Sequence, residues 1–481
     1  MSVAALVAFS GVFALGVIFS ILGSVKLKLA EALGIDDAKV GTLISALMFS
    51  SLIAVLIVGP LTDMLGYKII ALVGFALGGI CVWLLASALS YRSALIACLL
   101  LGIAAMCVNT VGNVLGPEVL FDGKEQARAS NLLNVFFGLG AFLTPLILAT
   151  LLGAMGYKKT VGLIGTVLFI PIIYSLFAEL PDPPEGFVIT QAFSLLGNPA
   201  VLLGGLALFC YIALESSMAG FVTTYLKSHQ FSDEKAGTLL SGFWICLMLA
   251  RLVAAIMLVG IDPAVVVPVL AVTAAIAIGI MVTAQSPAMG AAGTLLAGFA
   301  LGPIFPTLIG VTYMKAGTTS GSVFGLIFAI GLFGGIIVPT LIGKYAAQMS
   351  IRQSLKIALG VAVALVVVSG VFYVLPPVQA EQADEAITEI PMPVSLVEEP
   401  IVIEPDEPEV MDAVPVGAVE VGEVEEAAEA VTDVAEEVTD AIEEVVEEAA
   451  EIAESVGELV EEVAEAVETT SDEATAEVVE E

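Results

Sequence analysis

Glu215 stands in the apolar run Ile212-Ala213-Leu214-Glu215-Ser216-Ser217, with no lysine or arginine within a helical turn. A charged side chain at a bilayer centre costs roughly 2.5–3.5 kcal/mol on insertion scales, so such a residue is a functional candidate by default. Its chemistry would be proton exchange. The plainer reading is a protonated side chain hydrogen-bonded to a neighbouring helix. Tyr211 lies one turn earlier on the same face and offers a hydroxyl and a ring. Asn109 and Asn113 are spaced i, i+4 and share a face. Each amide carries donors and an acceptor, which suits the hydroxyls of a sugar. Interhelical bonding is the equally weighted alternative, worth about 0.6–2 kcal/mol in membranes. Asn134 reads the same way nearer a span end. Trp244 could stack on a sugar ring, or anchor its span at the membrane interface. Arg251 follows on the same span, where gating and snorkelling to the interface are both open.

These residues need a membrane scaffold to hold them. The chain has 481 residues, of which 58% are hydrophobic and 14% charged, with a formal net charge of −34. Soluble domains average roughly 45–50% apolar and about 25% charged, so an ordinary soluble enzyme is excluded. The charge is split. Residues 1–375 hold all 16 Lys and Arg against 14 Asp and Glu, whereas residues 376–481 hold 36 acids and no base. About 20 apolar residues cross a bilayer as a helix. Twelve such stretches occur, at 3–24, 40–59, 69–90, 93–115, 131–152, 160–180, 199–226, 237–260, 264–283, 288–312, 321–346 and 355–375. The lipid forces them to be helices, because each must satisfy its own backbone.

The spacing predicts an all-α membrane protein of two six-helix repeats, with a solute path between them. The expected divisions are an N-terminal bundle over 1–180, an inter-bundle loop over 181–198 and a C-terminal bundle over 199–375. A Pro-rich disordered linker over 376–417 and an acidic tail over 418–481 follow. Apolar residues in the tail recur every three or four positions from Val431 to Val463, a pattern that suits a transient amphipathic helix. With nearly all its polar positions acidic, that helix would suit a basic partner or simply remain solvated. Five cysteines lie in apolar runs at irregular spacing, and the single His229 has no Cys or His at metal-ligand distance in sequence. No metal, cofactor, nucleic-acid partner or catalytic constellation is expected. The first apolar run starts almost at Met1 without a charged n-region, so a separate signal peptide is not expected.

Between the second and third spans the chain reads Gly59-Pro60-Leu61-Thr62-Asp63-Met64-Leu65-Gly66-Tyr67-Lys68. Asp63 on so tight a turn can accept hydrogen bonds from a neighbouring helix N-terminus, where its charge is favourable. This stretch resembles the loop signature of the major facilitator superfamily in Asp63, Gly59, Gly66 and Lys68, with Met64 where a base is usual. A narrower resemblance is to the fucose/galactose/glucose–proton symporter branch. It is carried by Asn109-Thr110-Val111-Gly112-Asn113 through Gly116-Pro117-Glu118, by Ala127-Arg128-Ala129-Ser130-Asn131 and Asn134, and by Gly138, Gly140 and Pro145. Tyr211 to Ser217, Tyr225, Gly242-Phe243-Trp244 with Arg251, Gly302 to Thr307, and Gly334-Gly335 with Pro339 and Gly343 extend it.

The resemblance implies a transporter working by alternating access. Asn109, Asn113, Asn134, Tyr211 and Trp244 would meet solute. Gly59, Asp63, Gly66, Lys68, Arg128 and Arg251 would serve gating. It also implies acids in the first and fourth spans, where this chain has Gly23 and Ser24, and Asn109. Proton coupling, if present, therefore falls to Glu215. The implied topology puts both termini, the Asp63 turn and the loop over 181–198 in the cytoplasm, with the chain in the inner membrane if the source is bacterial. Lys68, Lys124, Arg128 and Lys315 then lie inside. The remaining loop bases, among them Lys26, Lys28, Lys39, Lys158 and Lys159, lie outside, the reverse of the positive-inside bias. The expected activity is transport of a small polar solute, most simply a monosaccharide. Transport of a drug-like compound or small anion is one alternative, and a non-transporting scaffold or sensor acting through the tail is another.

Overall fold

The computed structural model describes residues 2–377 except 184–186, 188–191, 193 and 347. The linker and tail expected beyond residue 377 lie outside the described residues. Helices make up nearly all of what is described. In chain order they are α1 (Val3–Leu33), α2 (Asp37–Leu65), α3 (Tyr67–Ala86), α4 (Tyr91–Val119), α5 (Gln126–Val167) and α6 (Ile170–Phe177). Then come α7 (Pro199–Ser228), α8 (Asp233–Met257), α9 (Pro263–Thr283), α10 (Pro287–Leu301), α11 (Ile304–Ala316), α12 (Gly321–Ala346) and α13 (Ile351–Val374).

Short polar residues start these helices. Ser2, Asp36, Asn198, Ser232, Asp262, Ser286 and Ser350 each accept a backbone N–H of the first turn. Ser90 and Ser93 form a reciprocal capping box on α4. Gly66, at φ +80°, both ends α2 and opens α3, which makes the tight turn after Asp63 possible.

Among the described residues, eleven continuous helical stretches are long and apolar enough to span a membrane. One of them, Gln126–Phe177, has 52 residues, more than twice the roughly 20 that a bilayer needs. It is two spans. Gly156 breaks it with φ 76° and ψ 166°, so the described residues fold as twelve spans in two sets of six. The tenth span is α10 and α11 together, interrupted at Gly302-Pro303.

In the N-terminal set, α1 packs on α4 and α5, α2 on α4, and α3 on α4 and α5. In the C-terminal set, α7 packs on α12, α13 and α11, while α9 packs on α10 and α13. The sets meet along α2–α12, α5–α8 and α5–α11. Large apolar side chains such as Ile173, Phe177, Val269, Ile276 and Val367 point outward, as lipid-facing surfaces require. Pro183, in the stretch joining the sets, lies beside Gly66, so that connection runs past the Asp63 turn.

Candidate functional site

Tyr211 and Glu215 occupy one face of α7, and the Tyr211 hydroxyl donates to Glu215 Oε1 at 2.7 Å. Arg251 reaches the same pair from α8. Its Nη2 lies 3.2 Å from the Tyr211 hydroxyl and 3.5 Å from Glu215 Oε1. Two corrections follow. Glu215 has a basic partner, invisible to spacing because it comes from the next helix. Arg251 does not snorkel, since only 2% of it is exposed. The pair is asymmetric: the Arg251 side chain is 3% exposed and that of Glu215 22%. The carboxylate is the accessible end.

Arg251 also donates to two backbone carbonyls. Nε donates to the Gly302 carbonyl at 2.9 Å and Nη1 to the Asn134 carbonyl at 3.3 Å. The first bond has a cause in the sequence. In a helix the Gly302 carbonyl would accept from residue 306, which is proline and has no N–H. Pro306 therefore frees an acceptor at the break in the tenth span, and Arg251 fills it.

The three candidate asparagines come together and bond to one another. Asn113 Nδ2 donates to Asn109 Oδ1 at 2.8 Å, and Asn134 Nδ2 donates to Asn113 Oδ1 at 2.9 Å. Tyr313, on α11, donates to the Asn113 carbonyl at 3.1 Å. Asn109, Asn113 and Asn134 are buried, so in this conformation they form a closed ladder between α4 and α5 behind Arg251. Trp244 is 37% exposed and meets the edge of Phe243 at a ring separation of 5.4 Å. Residues 244, 248 and 251 recur on one face of α8. Met248 on that face packs against Gly138 of α5, so the tryptophan lies on the side of α8 turned to the other set.

The gating candidates divide. Asp63 accepts the backbone N–H groups of Gly321 at 2.7 Å and Ser322 at 2.8 Å, the first two amides of α12. Gly59 makes that approach possible: a Cβ there would stand 2.3 Å from the Gly321 carbonyl oxygen. Arg128 donates from Nε to the Ala255 carbonyl of α8 at 2.8 Å, pairs with Glu125 at 3.0 Å, and lies 4.1 Å over the Phe121 ring. Lys68 is exposed and takes no part in the Asp63 contact. Gln126 to Thr319 at 2.7 Å and Asn131 to Thr307 at 2.9 Å add further bonds between the sets at this end. These contacts join the two sets at the Asp63 end.

Gly321, Gly325 and Thr319 lie outside every sequence motif, whereas Thr307 and Tyr67, whose hydroxyl donates to Glu118 at 2.6 Å, lie inside motifs that gave them no role. The small-xxx-small spacing of Gly321 and Gly325 is the one local signal that marks a close helix contact. Glu118 and Tyr67 each belong to a motif, but neither motif pairs them.

A family model described as Major Facilitator Superfamily matches residues 4–339. Among curated proteins, the Protein TsgA homolog of Yersinia pestis (strain Pestoides F) is 23% identical over 278 residues, 56% of this chain and 69% of that protein. Among solved structures, the transporter FucP in its outward conformation superposes with a TM-score of 0.65 at 19% identity, over 76% of this chain and 98% of that one. A second structure, of the E. coli fucose:proton symporter FucP, gives a TM-score of 0.63 at 19% identity over 77% and 99%. The human organic anion transporter MFSD10 (TETRAN) gives 0.59 at 16% identity over 76% and 99%. At these identities the structural likeness is one of fold.

Proposed function

The chain belongs to the Major Facilitator Superfamily, and we propose that it carries a small uncharged polar solute, of the monosaccharide class, by alternating access between its two six-helix sets. The observation that carries this reading is the Glu215–Tyr211–Arg251 cluster. It offers an accessible carboxylate backed by a buried guanidinium, a pair without net charge. A neutral solute with hydroxyls can bond to the carboxylate and lay an apolar ring face on Trp244. A proton on Glu215 would accompany it. The name of FucP, a fucose:proton symporter, agrees with this reading.

The anion alternative, suggested by the name of MFSD10, fits less well. Arg251 is the deep cation beside Glu215, and it already donates to Gly302, Asn134 and Tyr211 and pairs with Glu215. An anion would have to displace that carboxylate. The scaffold alternative rests on the tail beyond residue 377, and removing residues 378–481 tests it by leaving uptake intact if the tail is separable from transport.

In this reading, residues 1–180 and 199–375 are the two moving bundles. Asp63, Gly59, Gly66 and Arg128 close the cytoplasmic end, and the termini lie in the cytoplasm of a cell bounded by the membrane that holds the chain. A topology reporter fused to the C-terminus tests the orientation: activity only outside the cytoplasm overturns it. Function is tested with purified protein in liposomes across a sugar panel, with and without a pH gradient. Glu215→Gln is expected to abolish uphill uptake while exchange between equal pools survives. Uphill uptake equal to the unaltered protein removes the proton role.

A further inference from the structure

We propose that Lys315 is a positioning residue that fastens α11 to the end of the last span, and so sets how readily the contact of α11 with α5 opens at the Asp63 end. The inference rests on the reading that this end opens during alternating access. Helix α11 is short and cut off on both sides. It has 13 residues, follows the interruption at Gly302-Pro303 and ends at Gly317, whose φ is 75°. Its fit against the other set is nevertheless close. Asn131 of α5 donates to Thr307 at 2.9 Å, and Tyr313 donates to the Asn113 carbonyl of α4 at 3.1 Å. A Cβ on Gly310 would stand 2.3 Å from the Ala127 nitrogen. With its axis broken at both ends, α11 depends on side-chain ties to keep that fit.

Lys315 supplies the tie from the last turn of α11. Its Nζ donates to the Tyr373 carbonyl at 3.3 Å and to the Leu375 carbonyl, and lies 5.8 Å from the centre of the Phe372 ring. These three residues are the last turn and C-cap of α13. The sequence accounts for the open acceptors. A continuing helix would fill the carbonyls of Phe372 and Tyr373 with the N–H groups of residues 376 and 377, and both are proline. The unpaired carbonyls carry the negative end of the α13 dipole, where a cation is favoured.

Burial makes the tie costly to break. Lys315 is 6% exposed, and among the described residues the acceptors bonded to its Nζ are carbonyls rather than a carboxylate. Asp262, the cap of α9, is the acid whose field reaches it. If α11 drew away from the end of α13, the ammonium would lose its acceptors while still out of water, and an unpaired buried charge is expensive. Helix α11 and the end of α13 therefore move together. The acidic segment beyond residue 377 starts from this joint.

Amide hydrogen exchange on the full chain in lipid nanodiscs, without solute, tests the tie. Lys315→Met keeps an unbranched side chain and removes its charge and donors. It is expected to speed exchange in the first turn of α5, where Ala127 meets Gly310, by at least about fivefold, the lower range of measured coupling between sites. Lys315→Arg should return the rate to that of the unaltered protein. Pro376→Ala combined with Pro377→Ala offers α13 its own N–H groups in place of Lys315. This variant should speed exchange at α5 by a smaller factor, and it decides the matter should Lys315→Met fail to fold. A lysine that only caps α13 would confine the faster exchange to the last turn of α13 and leave α5 unchanged, and that result overturns the proposal. Because the readout needs no solute, failure to take up any sugar would sink the monosaccharide reading, while faster exchange at α5 would still uphold the tie.

Discussion

The carboxylate of Asp63 caps α12 at Gly321, taking that amide at 2.7 Å while its second oxygen takes the next amide. One side chain thereby satisfies two of the unpaired N–H groups of a helix belonging to the other half. It also sets a negative charge on the positive end of that helix. Asp63→Asn keeps one acceptor and loses the charge. The closed arrangement should weaken by about 1–3 kcal/mol, from the capping and dipole contributions combined. Thr62 is buried beside this contact, so Thr62→Cys, with Cys246→Ser to remove a partly exposed thiol, provides a probe. Its alkylation by an impermeant maleimide from the Asp63 side should rise about tenfold with Asp63→Asn, since about 1.4 kcal/mol is a factor of ten in the open population. An unchanged rate would remove Asp63 from the closing contact.

Asn134 and Trp244 should respond in opposite ways to truncation. Asn134→Ala leaves the Asn113 Oδ1 without its donor in a buried site. An unsatisfied buried polar group costs about 1–3 kcal/mol, so the melting temperature should fall while the KM for solute changes less than about twofold. Trp244→Ala removes an exposed ring that bonds to nothing in the ladder. It should raise KM by about tenfold, about 1.4 kcal/mol of solute binding, with little loss of stability. A Trp244→Ala protein with unchanged KM for every sugar taken up would argue that the ring faces lipid.

His229, the single histidine, follows α7 and packs edge-on against Tyr225 at 4.8 Å. Burial, and secondarily the nearby Arg352 cation, lowers its pKa from the usual 6.5. As pH falls below about 6.5 the unfolded chain takes a proton that the folded chain resists, so this group subtracts stability on the acid side. His229→Gln should flatten that part of the stability profile. The pH profile of uptake should be unchanged, because the proposed proton carrier is Glu215. A shift of the uptake profile in His229→Gln would place the histidine in the transport cycle instead.

The apolar runs placed the spans to within a few residues because lipid leaves helix as the available backbone solution. The Asp63 turn was equally legible, since Gly59 and Gly66 mark a close approach and a backbone of positive φ. Where runs were long, the sequence overshot or undershot: α1 continues to Leu33, past the apolar stretch that ends near residue 24. Polar residues can extend a helix into water, and hydropathy does not register them.

Composition and local pattern suffice for a twelve-span chain with one deep carboxylate, a capping aspartate and an acidic segment beyond the last span. The sequence also holds the reason for the open Gly302 carbonyl, in the proline at 306. It takes the packed helices to show that Arg251 answers Glu215, that three asparagines bond to one another, and that Asp63 finds Gly321 rather than Lys68. Spacing along one helix fixes which side chains share a face. Which helix lies opposite, and at what register, is set by packing between segments far apart in the chain, and no local pattern encodes that.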